Sequence, residues 1–175
     1  RVELIRNDDQ VDIGMRAADV AIWTREPEQA DLIRRSLFES RVRAFASAQY
    51  LRKHGTPKTL AELDQHRIIA YTGIPAQHLD AMSWIETAGR EGASPREAAL
   101  RVNSVVAIKY AIQAGIGIGM IPDYMSDEQS ELVPVLAEFE QPSLNLIFAY
   151  AEELKASKKV QLLRDFLVSK ISRFR

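Results

Sequence analysis

Apolar and polar residues alternate in the opening VELIR (residues 2 to 6), which predicts a strand, and the polar stretch 8 to 17 predicts a short helix. The continuous apolar run DVAIW (19 to 23) predicts a strand buried on both faces, so the first 23 residues read as a βαβ unit. VRAFAS (42 to 47) is a further strand. Ser47 then stands where a helix needs an N-cap, AQYLRKH supplies the turns, and Gly55 supplies the left-handed residue that ends them. Thr59 and Glu62 have capping-box spacing, so a helix of one or two turns follows. RIIAY (67 to 71) reads as a strand, followed by the loop TGIPAQH. In SPREAALRVN, Ser94, Pro95 and Glu97 suit a helix start, whereas Leu100 and Val102 suit a strand; the strand is the expectation taken. From Ser104, the residues Val105, Ile108 and Ile112 recur at helical spacing up to Gln113, and IGMI (118 to 121) is a strand stopped by Pro122. After Ser157, a plausible cap, Val160, Leu163, Leu167, Ile171 and Phe174 share one face of an amphipathic helix.

The run AGIGIGMIPDY (114 to 124) invites a nucleotide-loop reading, but the order of elements excludes it. A dinucleotide fingerprint needs strand, Gly-x-Gly-x-x-Gly and then a helix whose N-terminus meets the phosphates. Here the helix precedes glycines spaced Gly-x-Gly-x-Gly and a short strand follows. Gly115 is expected to end the helix, with Gly117 and Gly119 placed where backbone approaches backbone. No cofactor is expected.

Composition narrows the classes further. Of 175 residues, 46% are apolar and 27% charged, the balance of an ordinary globular protein. Twenty-three basic and twenty-four acidic side chains leave a formal charge of −1, so no overall field draws this chain onto a phosphate backbone. There are no cysteines, which removes thiolate nucleophiles, disulfides and zinc-thiolate sites, and a cytoplasmic location is the expectation. No apolar run has the length of a membrane span. The start, without Met and already in a strand pattern, reads as an internal one. From Lys155 onward the final helix carries seven basic residues against Asp165, either as a solvated face or as a phosphate- or membrane-facing one.

Candidate chemistry is sparse. His54, His66 and His78 lie twelve residues apart, without metal-ligand spacing, so no metal is expected. No nucleophile elbow, Walker motif or Cys nucleophile is present, and no catalytic residue is proposed. Trp23 at a strand end, with Thr24 after it, reads equally as the rim of a small-anion site and as a half-buried core ring, whereas Arg25 reads first as a solvated side chain. Asn103 and Ser104 open a helix, where they either meet an anion or cap the helix.

In order, the segments ADVAIW, ASAQYLRKHGTPKTLAELDQHR, LRVNSVVAIKYAIQAGIGIGMIPDY, ELVPVL and the closing amphipathic helix resemble the effector-binding domain of LysR-type transcriptional regulators. Two departures stand out: Trp23 replaces the family's usual arginine after the first strand motif, and Ser47-Ala48 replaces its Ser-Pro. The N-terminal helix-turn-helix and the first strand and helix of the effector domain have no counterpart. The resemblance implies an α/β fold of two Rossmann-like lobes similar to type 2 periplasmic binding proteins, lobe I being incomplete at its N-terminus. Lobe I would comprise residues 1–46 and 146–175, and lobe II residues 47–145.

The same resemblance implies a small-molecule effector in an inter-lobe cleft. Its contacts would be Trp23 and Thr24, then Thr72, Gly73, Ile74 and Pro75, then Asn103, Ser104 and Val105, with Phe148 at the return crossing. It also implies a homodimer or homotetramer that reaches promoter DNA only through the absent N-terminal domain, with no membrane partner. An exported solute-binding protein of the same fold is the competing expectation, and an α/β enzyme a third.

Overall fold

The computed structural model describes residues 2–5, 18–24, 31–72, 80–126 and 131–171. The expected helix over 8 to 17 and the loop residues Gly73, Ile74 and Pro75 lie outside that set. Two compact units form, one from Arg1–Glu39 with Asn145–Arg175 and the other from Ser40–Leu144.

In the first unit, strand β1 (Ala21–Trp23) pairs antiparallel with β7 (Ser143–Ala151) in the register Ala21↔Ala149, Ile22↔Phe148 and Trp23↔Ile147. β7 in turn neighbours β2 (Leu32–Ser47). Helix α4 (Lys158–Ile171) closes a core of Leu37, Phe148, Tyr150 and Val160, onto which Leu163, Leu167 and Ile171 also pack. Four of the five apolar positions expected on that helix face therefore do what their spacing implies; Phe174 lies outside the described residues. Two expectations are corrected here. β1 is three residues long and antiparallel to its neighbour, with Ile22 46% exposed, so it is not buried on both faces. Residues 2–5 form no strand, and Leu4 stands 90% exposed. An alternating pattern becomes a strand only when a neighbour takes up its amides and carbonyls, and no described strand does so.

The second unit carries a mixed sheet in the order β6-β2-β5-β3-β4. β2 pairs antiparallel with β5 (Ile118–Pro122) through Val42↔Pro122 to Phe45↔Gly119, and with β6 (Leu132–Pro134) through Phe45↔Pro134 to Ser47↔Leu132. β3 (Ile68–Tyr71) runs parallel to both β5 and β4 (Ala98–Val102). Helices α2 (Asp80–Thr87) and α3 (Val105–Gln113) pack on these strands and bury Met82, Ile85, Ile108 and Ile112 against Ile68, Ile69 and Ile118.

Helix ends follow local chemistry. α1 (Ala48–His54) starts where the Ser47 hydroxyl accepts from Tyr50 N at 3.2 Å and stops at Gly55, φ +84°. The Thr59 hydroxyl accepts from Glu62 N at 3.3 Å, but the Glu62 carboxylate reaches Lys58 N at 2.8 Å instead of the Thr59 amide, and the turn that follows, Ala61–Gln65, is a 3-10 helix. α2 had no sequence signal. Its C-terminal turn is held by Arg96, only 4% exposed, which donates to the carbonyls of Ile85 (3.1 Å) and Ala88 (2.8 Å) and to Leu60 O (2.8 Å). Its Nε donates to Asp64 at 2.6 Å. Hydrogen bonding from Arg90 and Arg96 holds the Asp64 carboxyl below its usual range, partly offset by desolvation.

Candidate functional site

β3 and β4 advance side by side and stop together. Tyr71 is level with Val102, and one further bond, Thr72 N to Val102 O at 2.9 Å, carries the pairing past the strands' ends. Thr72 and Asn103 therefore sit next to each other at the carboxyl ends of parallel strands, the edge where α/β sheets receive ligands. Both are exposed. Immediately afterwards the chain enters α3. Ser104 is extended (φ −141°, ψ 119°), and its hydroxyl accepts from Ala107 N at 3.3 Å, while the half-buried Val105 is the first helical residue. Ser104 is thus the cap of α3. The helix start directs its unshared amides and the positive end of its dipole toward the side where Thr72 and Asn103 lie, a setting suited to a carboxylate or another small anion.

The first unit places its candidates differently. Trp23 is half-buried at the end of β1, packed with Ala21 and Ala151 against Leu32 and Ala149, and Thr24 follows it half-buried. Phe148 is a core residue. It is 0% exposed, and its ring meets Tyr150 edge-on at 5.7 Å, so it has no surface to offer a ligand. β7 buries Ile147 through Tyr150 in succession, so Phe148, which the resemblance implied as a contact at the return crossing, lies inside the core.

The glycine run closes a helix, as the order of elements predicts. Gly115 takes φ +72° directly after α3, and its amide donates to Ile112 O at 2.9 Å. A Cβ at Gly117 would collide with the Arg67 backbone, and one at Gly119 would lie 2.9 Å from Ile108 Cγ2. Two of the histidines have structural contacts. His54 stacks on Tyr50 at 4.5 Å between ring centres, and His66 Nδ1 lies 3.2 Å from the Tyr50 hydroxyl, which also accepts from Arg67 N at 3.0 Å. Burial, then the nearby His54, pushes the His66 pKa down. His78 lies outside the described residues. Among the described residues no group of three or more His, Cys, Asp or Glu could hold a metal ion, and no helix is long and apolar enough to cross a membrane.

Motif reading passed over Arg41 and Arg43, which line a pocket with the 137–141 turn. Their signal was available as two cations at strand spacing, i and i+2.

A family model, the LysR substrate binding domain, matches residues 1–172. The chain belongs to that family. It is 27% identical over 176 residues to the HTH-type transcriptional regulator CrgA of Neisseria meningitidis serogroup C (strain 8013), a match covering 98% of this chain and 57% of CrgA. The chain thus spans little more than half the length of that curated relative. The regulatory domain of CrgA superposes with a TM-score of 0.78 at 25% identity, over 94% of this chain and 80% of that one. Full-length CrgA superposes with a TM-score of 0.81 at 25% identity, over 98% and 58%. The α/β fold of LysR regulatory domains, similar to type 2 periplasmic binding proteins, is therefore the fold of this chain, as the motif order implied.

Proposed function

We propose that this chain is the effector-sensing domain of a cytoplasmic, DNA-binding transcriptional regulator of the LysR family. On this reading it recognises a small organic molecule and passes that event, through movement of its lobes and of an oligomer, to DNA-binding domains carried elsewhere in the protein. The observation that carries the reading is the family match across residues 1–172. In the second unit, Thr72, Asn103 and the start of α3 form the portion of the effector site that the geometry supports best. An anionic group at the α3 N-terminus is the recognition chemistry assigned to it.

Binding can bias the regulator only through unequal affinity for its lobe arrangements, so effector affinity and promoter response should change together across variants. Calorimetry of the full-length parent against a panel of small organic acids, amino acids and aromatic compounds tests this. A saturable ligand whose affinity falls in Asn103→Ala, and whose addition alters promoter binding, is the expected result. A ligand that binds undiminished in Asn103→Ala refutes the site assignment, and a panel without any binder removes the inducer mechanism.

A further inference from the structure

We propose that Arg41 and Arg43 belong to a second small-molecule site, one that takes a carboxylate with a short apolar body and is separate from the α3 site. It is built on β2 and the 137–141 turn, whereas Thr72 and Asn103 follow β3 and β4, and β5 lies between β2 and β3 in the sheet.

The cations are placed by strand geometry. Side chains of a strand alternate between faces, so Arg41 and Arg43 share one face while Val42 and Ala44, both 0% exposed, enter the core on the other. Arg41 is exposed, and its guanidinium has no hydrogen-bond or ion-pair partner among the described residues. Arg43 is held loosely, 3.9 Å from Asp123 Oδ2, while Oδ1 of that carboxylate already accepts from the Ser40 hydroxyl at 3.0 Å. Two guanidiniums on one face, only that of Arg43 near the Asp123 carboxylate and at 3.9 Å, keep donors available to a planar anion.

The facing wall is tied to β2 by hydrogen bonds. Gln141 accepts from Ala44 N at 2.8 Å and donates to Leu136 O at 2.7 Å and Val135 O at 3.3 Å, and Val42 N donates to Pro142 O at 2.8 Å. Both ends of the Gln141 amide are therefore engaged, which ties the turn to β2. Phe139 N donates to Leu136 O at 3.1 Å, which shapes that turn, and the half-buried Phe139 ring lines the cavity with Ala137. The pocket is half open to solvent and offers about 290 Å³. That space fits a small monocarboxylate whose body rests on Phe139 while its oxygens meet the arginines. The exposed Glu140 also lines the pocket, so two arginines against one carboxylate leave a single excess positive charge, which one carboxylate group matches.

Fluorine NMR of 4-fluorophenylacetate with this chain tests the site, with 4-fluorophenylacetamide as the uncharged control and backbone amide spectra to locate binding. The expected result is saturable binding in the millimolar range that moves the Phe139 and Gln141 amides, with the acetamide not binding. Arg41→Met, at an exposed position, should weaken it at least about tenfold, the loss of one charge-assisted contact, and Ser104→Ala should leave it unchanged. The proposal is overturned if the Phe139 and Gln141 amides stay still, if the acetamide binds equally well, or if the perturbations map to Asn103 and α3. Equal affinity in Arg41→Met also overturns it.

Discussion

Gly117→Ala should be among the most damaging single-methyl additions in this chain, and the structure indicates by how much. An ideal Cβ at that position lies 2.9 Å from the Arg67 carbonyl carbon and 3.0 Å from Arg67 Cβ, and nearer still to the carbonyl oxygen. The obstacle is backbone, which cannot rotate aside as a side chain can. The same carbonyl accepts from Ile118 N at 2.8 Å and leads into the pairing of Ile68 with Ile118, both essentially buried. Relieving the clash means separating β3 from β5. That costs the hydrogen bond, about 1 kcal/mol, plus repacking around Ile68 and Ile118 of about 1–3 kcal/mol, so a loss of about 2–4 kcal/mol is expected.

Two glycines nearby serve as controls. Gly119→Ala meets the buried side chains of Ile108 and Ile112 and no backbone, and should cost less, about 1–2 kcal/mol. Gly55→Ala meets nothing within 4 Å, but its φ of +84° and ψ of 168° lie in a region open essentially only to glycine, a penalty of about 1–3 kcal/mol. Urea denaturation followed by Trp84 fluorescence in a Trp23→Phe background reports on the second unit, where all three glycines lie. A Gly117→Ala protein within about 0.5 kcal/mol of the parent, or one more stable than Gly119→Ala, would refute the reasoning. Because Thr72 follows β3, the same substitution should also weaken effector binding more than Gly119→Ala does.

Arg96→Met leaves the carbonyls of Leu60, Ile85 and Ala88 without their donor and should cost about 2–4 kcal/mol by urea denaturation, with protection lost first at α2 in hydrogen exchange; unchanged α2 protection would contradict the stapling role. Ser104→Ala removes the α3 cap and should cost about 1 kcal/mol, while Ser104→Gly should cost only a few tenths; equal costs would mean the hydroxyl does not cap. His66 binds its proton less readily folded than unfolded, its pKa being lowered from 6.5. Its contribution is therefore present above about pH 6.5 and is lost as pH falls from there through the lower folded value. The urea midpoint should drop across that range in the parent and drop less in His66→Gln; identical slopes would sink the assignment.

What was legible beforehand divides along a physical line. Ser47, Gly55, Ser104 and Gly115 act on amides and carbonyls within a few residues of themselves, so their roles could be read from order and spacing alone, and the structure realises them. Partner-dependent features could not be read that way. The first half of β2 buries Leu32, Leu37 and Ser40, intervals of five and three that match no strand period, and its regular alternation begins only at Ser40. Residues 2–5 have the alternation without a neighbouring strand among the described residues, and α2 rests on Arg96 from beyond its own end.

The candidate site divides in the same way. The positions of Thr72, Asn103 and Ser104 at a strand end and a helix start are local events that spacing can show; the burial of Phe148 is not, because it depends on which strand and helix enclose it. Arg41 and Arg43 show the limit most clearly. In the chain, two arginines flanking a valine have the pattern of any solvated strand face. What marks them out is that Gln141, nearly a hundred residues away, ties the 137–141 turn to β2 and so builds the opposite side of a pocket that both arginines line. Such a site is defined by which polar groups are already engaged, and that inventory exists only once the chain has folded.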